Sequence, residues 1–194
     1  MKRNVLILNG HPDPGNRGLC HALAEAYDDG ARAAGHDVRR LDVAGLDFTL
    51  LRSQVDFEKG SPPPAIAQAQ EHLRWAQHLV VTFPLWLGDM PALLKAFFEQ
   101  ALRPGFAYSY RPSGFPVMHL RNRSARIIVT MGMPALIYRW YFRAHGLKNL
   151  QRNILGFVGF SPVRATVIGS VATRGQESIR RVLDDVRGLG RAAS

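Results

Sequence analysis

Five short apolar runs, each followed by a stretch of helical spacing, limit this chain more than any other feature. The runs are Asn4 to Leu8, Val38 to Leu41, Val80 to Phe83, Ala125 to Thr130 and Val163 to Ile168. Between and after them, apolar residues recur every three or four positions: Leu19, Ala22, Leu23, Ala26 and Tyr27, then Ile66 to Gln77, then Leu94, Phe97, Phe98 and Ala101, with Leu147, Leu150 and Ile154 further on, and Ile179, Val182, Leu183 and Val186 last. Strand and helix in steady alternation argue for an α/β domain, a parallel sheet wound with helices on both faces. In such a sheet ligands bind where strands run out at their carboxyl ends.

The third run is the most informative. Val80, Val81, Thr82 and Phe83 suit a strand buried on both sides, and Pro84 stops it. Leu85, Trp86, Leu87 and Gly88 follow as a short apolar loop, and Pro91 fits the start of the next helix. An apolar loop carrying an indole at a strand's carboxyl end forms a platform for a flat, partly apolar ring system.

The first run opens into a polar loop, Asn9 to Gly18, rich in Gly and Pro, with the helix from Leu19 directly behind it. Unpaired N–H groups at the helix start converge there with the positive end of its dipole, so the turn can hold an anion. His11, Asn16 and Arg17 add donors. The loop has neither a Gly-x-Gly-x-x-Gly fingerprint nor a Walker sequence, so an ordinary βα turn, with His11 as a capping residue, stays open as a reading. The fourth run ends in a second loop, Met131-Gly132-Met133-Pro134, which belongs beside the platform in a parallel sheet. Tyr108 and Tyr110 alternate with Ala107 and Ser109, so both phenols project from one side of an extended segment, either walling a pocket or packing a surface loop. Tyr138 and His145 are two helical turns apart and share a face if the segment is one helix, where a phenol and an imidazole can handle a proton together.

Composition narrows the classes. At 194 residues and 46% hydrophobic, one domain spanning 1–194 is expected. No run approaches the roughly 18 apolar residues of a membrane span, and the start reads as a first strand instead of a signal peptide, so a cytoplasmic protein is expected. A single cysteine, Cys20, excludes an internal disulfide and a cysteine-based zinc cluster, and no metal site is expected. Cys20 reads as a packing residue. The formal charge of +10 comes without a dense basic block or a nucleic-acid motif, so it is read as favouring the phosphates of a nucleotide cofactor instead of nucleic acid. The segment from Ala44 to Pro64 is expected to be irregular and to pack across the surface or onto a second subunit. Thr173 with Gln176 predicts a capping box for the last helix, and the tail from Gly188 is expected to fray.

With a phosphate loop after the first strand and a ring platform after the third, the five strands fit the flavodoxin-like order 2-1-3-4-5, whose crevice opens between strands 1 and 3. A ligand with both a phosphate and a ring, FMN or FAD, matches that crevice. At this point the chain resembles the flavodoxin-like NAD(P)H:quinone oxidoreductases over nearly its whole length. The resemblance is carried by Asn9-Gly10-His11-Pro12, by Phe83 to Trp86 with Met90 to Glu99, by Gly105-Phe106-Ala107-Tyr108-Ser109-Tyr110, and by Thr130 to Met133 followed by Tyr138 and His145-Gly146. It implies a flavin, usually FAD, at the interface of a homodimer, with NAD(P)H as co-substrate and a quinone as acceptor.

Residue by residue, the resemblance gives the flavin phosphates to His11, Arg17, Gly18 and Leu19, and the isoalloxazine ring to Pro84, Leu85, Trp86 and Leu87. It sets Thr130, Met131 and Gly132 on the ring's polar edge, Tyr108 and Tyr110 in the substrate pocket, and Tyr138 and His145 as the catalytic pair. The chain departs from the family at Gly18, where Ser or Thr is common, and at Met131-Gly132-Met133, where two adjacent glycines are common. Three other roles share these features: an azo or nitro reductase, a flavin-binding regulatory subunit of a potassium-efflux transporter, and a one-electron carrier. Such carriers are acidic, and this chain is basic.

Overall fold

A computed structural model describes residues 1–15 and 18–194; Asn16 and Arg17, two donors of the expected phosphate loop, lie outside the described residues. Among the described residues seven strands form: β1 (Asn4–Asn9), β2 (Asp37–Asp42), β3 (His78–Pro84), β4 (Tyr108–Ser109), β5 (Val117–Met118), β6 (Arg123–Thr130) and β7 (Phe160–Ile168). Five of them make one sheet in the order β2-β1-β3-β6-β7, with every pairing parallel. This is the expected 2-1-3-4-5 order, because β4 and β5 form a separate antiparallel hairpin inserted before β6.

The helices are α1 (Leu19–Ala33), α2 (Gln54–Lys59), α3 (Pro64–Trp75), α4 (Ala92–Ala101), α5 (Ala135–Trp140), α6 (His145–Asn149), a π-helical turn at Leu150–Gly156, and α7 (Gln176–Ala192). Alternation along the strands divides the core in two. Leu6, Leu8, Leu79, Val81, Phe83, Ile127 and Val129 face α3 and α4 through Ile66, Leu73, Leu94 and Phe97. Their neighbours Val5, Ile7, Val80, Ile128 and Ile168 face α1 and α7 through Leu23, Tyr27 and Val186. Among the described residues, no helix is long and apolar enough to cross a membrane.

Three expectations change. The segment 44–64 contains α2, whose first turn is capped by Ser53 accepting from the Asp56 N–H at 3.1 Å, and it packs on its own chain, with Phe48 edge-on to Phe97 of α4. The capping box at Thr173 does not form. Gly175 holds the cap position, Thr173 donates to the Ser170 carbonyl, and Arg174 bonds the Gly169 carbonyl and Ser178 Oγ. The tail from Gly188 continues α7 to Ala192 instead of fraying. Its Gly190 lets α7 meet α1 backbone to backbone, since a Cβ there would lie 2.2 Å from the Tyr27 carbonyl oxygen.

Candidate functional site

At the carboxyl edge of the sheet, the loops after β1, β3 and β6 are each tied by their first N–H to the neighbouring strand. Gly10 donates to the Thr82 carbonyl at 2.7 Å, Leu85 to Thr130 at 2.7 Å, and Met131 to Ile168 at 2.9 Å. These bonds hold the loops after β1, β3 and β6 side by side.

The platform is a tight turn. Trp86 and Asp89 exchange both backbone hydrogen bonds, at 2.9 and 3.0 Å, and the two residues between them, Leu87 and Gly88, have φ of +48° and +84°. Positive φ at both central positions is the type I′ geometry, natural for Gly88 and costly for Leu87. Leu87 is fully exposed and Trp86 is half-exposed, so the turn presents an indole and an isobutyl group to the crevice side of the sheet. Asp89 Oδ1 accepts from the Met90 N–H at 2.7 Å and stiffens the exit into α4.

Across from the platform, Asn9 ends β1. Its Oδ1 accepts from the His11 N–H at 3.2 Å, while its Nδ2 donates to Asp42. The Asp13 N–H donates to His11 Nδ1 at 3.2 Å, which leaves Nε2 as the donor nitrogen of a neutral ring. The His11 and Trp86 rings lie edge to face with centroids 6.3 Å apart, so the first loop and the platform meet across one crevice. Gly18 takes the cap position of α1 with no side-chain cap, and the first turn of that helix carries no acidic residue. Helix dipole and backbone donors at that end favour an anion.

Thr130 and Met131 are both buried. Thr130 is 5% exposed, its hydroxyl is 3.0 Å from Cys20 Sγ, and its carbonyl accepts from Leu85. Met131 is buried in the core, with its N–H given to Ile168 and its carbonyl accepting from Val171. Gly132 is the exposed member of the three. Cys20 is buried, and burial lifts its thiol to about 11, so it remains a neutral packing group that ties α1 to the end of β6.

Tyr138 and His145 do not share a helix. Between α5 and α6 the chain turns through Arg143 and Ala144, both with φ near +50°, and the Ala144 N–H caps back onto the Tyr138 carbonyl. Tyr138 is buried and its hydroxyl accepts from the Leu147 N–H at 3.2 Å; burial raises its pKa. His145 is exposed. A residue that the sequence named only in passing supplies the link: a Cβ on Gly146 would lie 2.4 Å from the Gly88 carbonyl oxygen. The turn at the start of α6 is therefore seated on the platform, with Tyr138 bonded beneath it. A glycine after a histidine was the available signal, but nothing in the sequence says what backbone it touches.

Tyr108 and Tyr110 do group together, hydroxyl to hydroxyl at 3.4 Å and rings edge to face at 5.3 Å. Tyr108 belongs to a different cleft, however. Tyr108 is buried against Phe157 at 4.8 Å and lines a groove of about 150 Å³ with Lys95, Phe98 and Asn153, none of which comes from the loops after β1, β3 or β6. Tyr110 is exposed. Among the described residues no cluster of His, Cys, Asp and Glu could hold a metal ion.

The geometry agrees with what the chain is similar to. NAD(P)H dehydrogenase (quinone) 1 of Rattus norvegicus is 25% identical over 207 residues, covering 94% of this chain and 74% of that protein. FMN-dependent NADH:quinone oxidoreductase of Nitratidesulfovibrio vulgaris is 28% identical over 121 residues, covering 59% of this chain and 54% of that protein. The structure of NAD(P)H:quinone oxidoreductase from Methanothermobacter marburgensis superposes with a TM-score of 0.77 at 25% identity, covering 98% and 96% of the two chains. The flavodoxin-like fold family itself matches residues 3–188. A match of that extent, on a sheet of this order, makes the assignment: the chain belongs to the flavodoxin-like fold family.

Proposed function

We propose that this protein is a flavin-dependent NAD(P)H:quinone oxidoreductase working in the crevice between the loops after β1 and β3. The observation that carries the reading is the exposed Trp86–Leu87 turn set against the acid-free start of α1, with the His11 ring edge-on to Trp86. Those residues fit a flavin. The helix start and His11 Nε2 would hold a phosphate, and Trp86 with Leu87 would cover one face of the ring. Gly132, exposed at the end of β6, would offer its backbone to the ring's polar edge. FAD and FMN both present that phosphate and that ring.

A bound flavin supplies the chemistry of taking a hydride from NAD(P)H and passing two electrons to the acceptor. The chain's part is to align the partners and exclude misplacement. The backbone-tied platform fixes the plane of the ring, and near-attack alignment of this kind accounts for much of what a positioning site contributes. His145, carried on the turn that rests against Gly88, would move the proton that completes reduction of a quinone to a hydroquinone, through an imidazole nitrogen. Tyr138 acts on this turn as a positioning residue, through its bond to Leu147.

A homodimer completes the reading. Leu136, Trp140 and Tyr141, on α5 and directly after it, are each more than two-thirds exposed, and a second subunit would cover them. Tyr108 lines a separate cleft of its own chain with the exposed Tyr110 beside it, so their contact with substrate would be made in the partner's crevice. The test is an anaerobic titration. Protein loaded with FAD or FMN and desalted is expected to retain a visible flavin band that bleaches on NAD(P)H and returns on adding a quinone. Failure to retain either flavin would overturn the reading. An azo dye that restores the band while quinones do not would move the assignment to azo reduction.

A further inference from the structure

The charge of the chain is unevenly placed. Eleven of the Lys and Arg residues, and no Asp or Glu, lie between Gln100 and Gln176, so that stretch accounts for the whole positive excess. Through β6 and β7 it delivers part of that charge to the amino edge of the sheet, the end opposite the crevice. There a cavity of about 570 Å³ opens among the starts of β1, β3, β6 and β7. Sites for small molecules typically measure about 300–1,000 Å³.

The walls are cationic and rich in donors: Arg3, Arg164, His78, Ser124, Asn122 and Ser161. Arg3 is oriented by bonds from Nη1 to the Ala193 carbonyl at 3.1 Å and to Ser124 Oγ at 3.4 Å. Arg164 is exposed, and among the described residues no carboxylate pairs with it or with Arg3. His78 is 1% exposed and is engaged on both nitrogens, Nδ1 with Ser124 Oγ at 2.7 Å and Nε2 with the Tyr27 hydroxyl at 2.9 Å. Unbalanced like charges facing one cavity repel one another, and a bound anion would relieve that repulsion. Among the described residues no phenyl, phenol or indole ring lines the cavity, so they offer no aromatic platform on which a nucleobase could stack. Guanidinium groups, by contrast, match phosphate and carboxylate oxygens.

We propose that this cavity is a second binding site, separate from the crevice, for a small non-aromatic oxyanion of two or more negative charges, gripped by Arg3 and Arg164. It goes beyond the oxidoreductase reading and does not depend on it. His78 provides a local reporter. Burial, then Arg3, Arg126, Arg164 and His36, hold its pKa down to about 3, with Tyr27 and Ser124 as its bonded neighbours. An anion seated among these cations would raise it.

The experiment is NMR titration of the His78 ring in flavin-loaded protein, with pyrophosphate and with citrate as probes and sodium chloride at equal ionic strength as control. Saturable shifts of the His78 signals, with an upward move of its pKa, are expected for at least one probe; stronger response to pyrophosphate assigns phosphate esters, and to citrate, polycarboxylates. Arg164→Gln should weaken the binding at least tenfold, while Arg152→Gln, an exposed arginine outside the cavity, should leave it unchanged. No saturable shift, or equal loss in both variants, would show diffuse charge and overturn the proposal. Because the readout is a ring at the amino edge, the result stands whether or not the crevice holds a flavin.

Discussion

The two edges of the same sheet put their side chains to different use. At the carboxyl edge, main-chain bonds from Gly10, Leu85 and Met131 to neighbouring strands hold the loops, and side chains such as Trp86 and Leu87 are left free. At the amino edge main-chain bonds tie the strand ends too, Asp37 to Arg3, Gln77 to Asn4 and Ser124 to Gln77, but side chains add a second brace: His78 bridges Tyr27 and Ser124, Arg126 bonds Ser194 and Thr166, and Arg123 reaches the Ala76 carbonyl. A backbone-held edge can vary its side chains for binding without losing its shape. An edge braced by side chains resists such change, and it answers to pH.

The largest effect expected from this contrast is acid sensitivity at the amino edge. His78 titrates near 6.5 in an unfolded chain but stays neutral to about 3 in the fold. As pH falls below 6.5 the unfolded state takes up a proton that the folded state refuses, so stability present at neutral pH is lost progressively towards pH 3, on the order of 4 kcal/mol. Urea unfolding at pH 7 and pH 4 measures it, and His78→Gln, though less stable at pH 7, should lose less between the two; an equal loss would remove His78 as the cause.

Next comes Gly146→Val at the carboxyl edge. Its side chain would strike the Gly88 carbonyl and the Asp89 backbone, and overpacking against backbone costs about 1–3 kcal/mol. A shifted platform should lower flavin affinity by at least tenfold beyond any change in melting temperature. Trp86→Ala separates shape from contact: flavin affinity should fall about tenfold, in line with loss of an aromatic contact, while the melting temperature stays the same, because the turn is held by backbone. A large drop in melting temperature would contradict the division drawn between the edges. The smallest effect is Tyr138→Phe, which leaves the Leu147 N–H without its acceptor and should cost about 1 kcal/mol in unfolding experiments, with slower quinone reduction as the turn carrying His145 loosens.

The same contrast explains what was legible in the sequence. Strand runs, the sheet order and the crevice loops follow from periodicity and from Gly and Pro placement, which act locally. The amino edge was not legible: His78 lies just before the apolar run of β3, Tyr27 sits on the apolar stripe of α1, and nothing local pairs residues 51 positions apart. Local patterns also misled where a distant contact won. Thr173 and Gln176 have capping-box spacing, yet Arg174 claims the Gly169 carbonyl and Gly175 takes the cap. Gly188 and Gly190 suggest a loose end, yet α1 needs that narrow surface. Thr130 ends a strand, and nothing local shows that its hydroxyl meets the Cys20 thiol, 110 positions away in the chain. The break at Arg143 and Ala144 carries neither Gly nor Pro to announce it.

Leu87 has a consequence for how such a protein can change over generations. A leucine held at φ +48° with its side chain wholly in water gains nothing from packing and is less comfortable there than Asn or Gly by about 1 kcal/mol. Selection for heat resistance alone would therefore replace it, and selection for ligand contact would keep it. Lineages of this chain adapting to hotter habitats would meet that conflict at a single codon, and the residue found there would record which demand had prevailed.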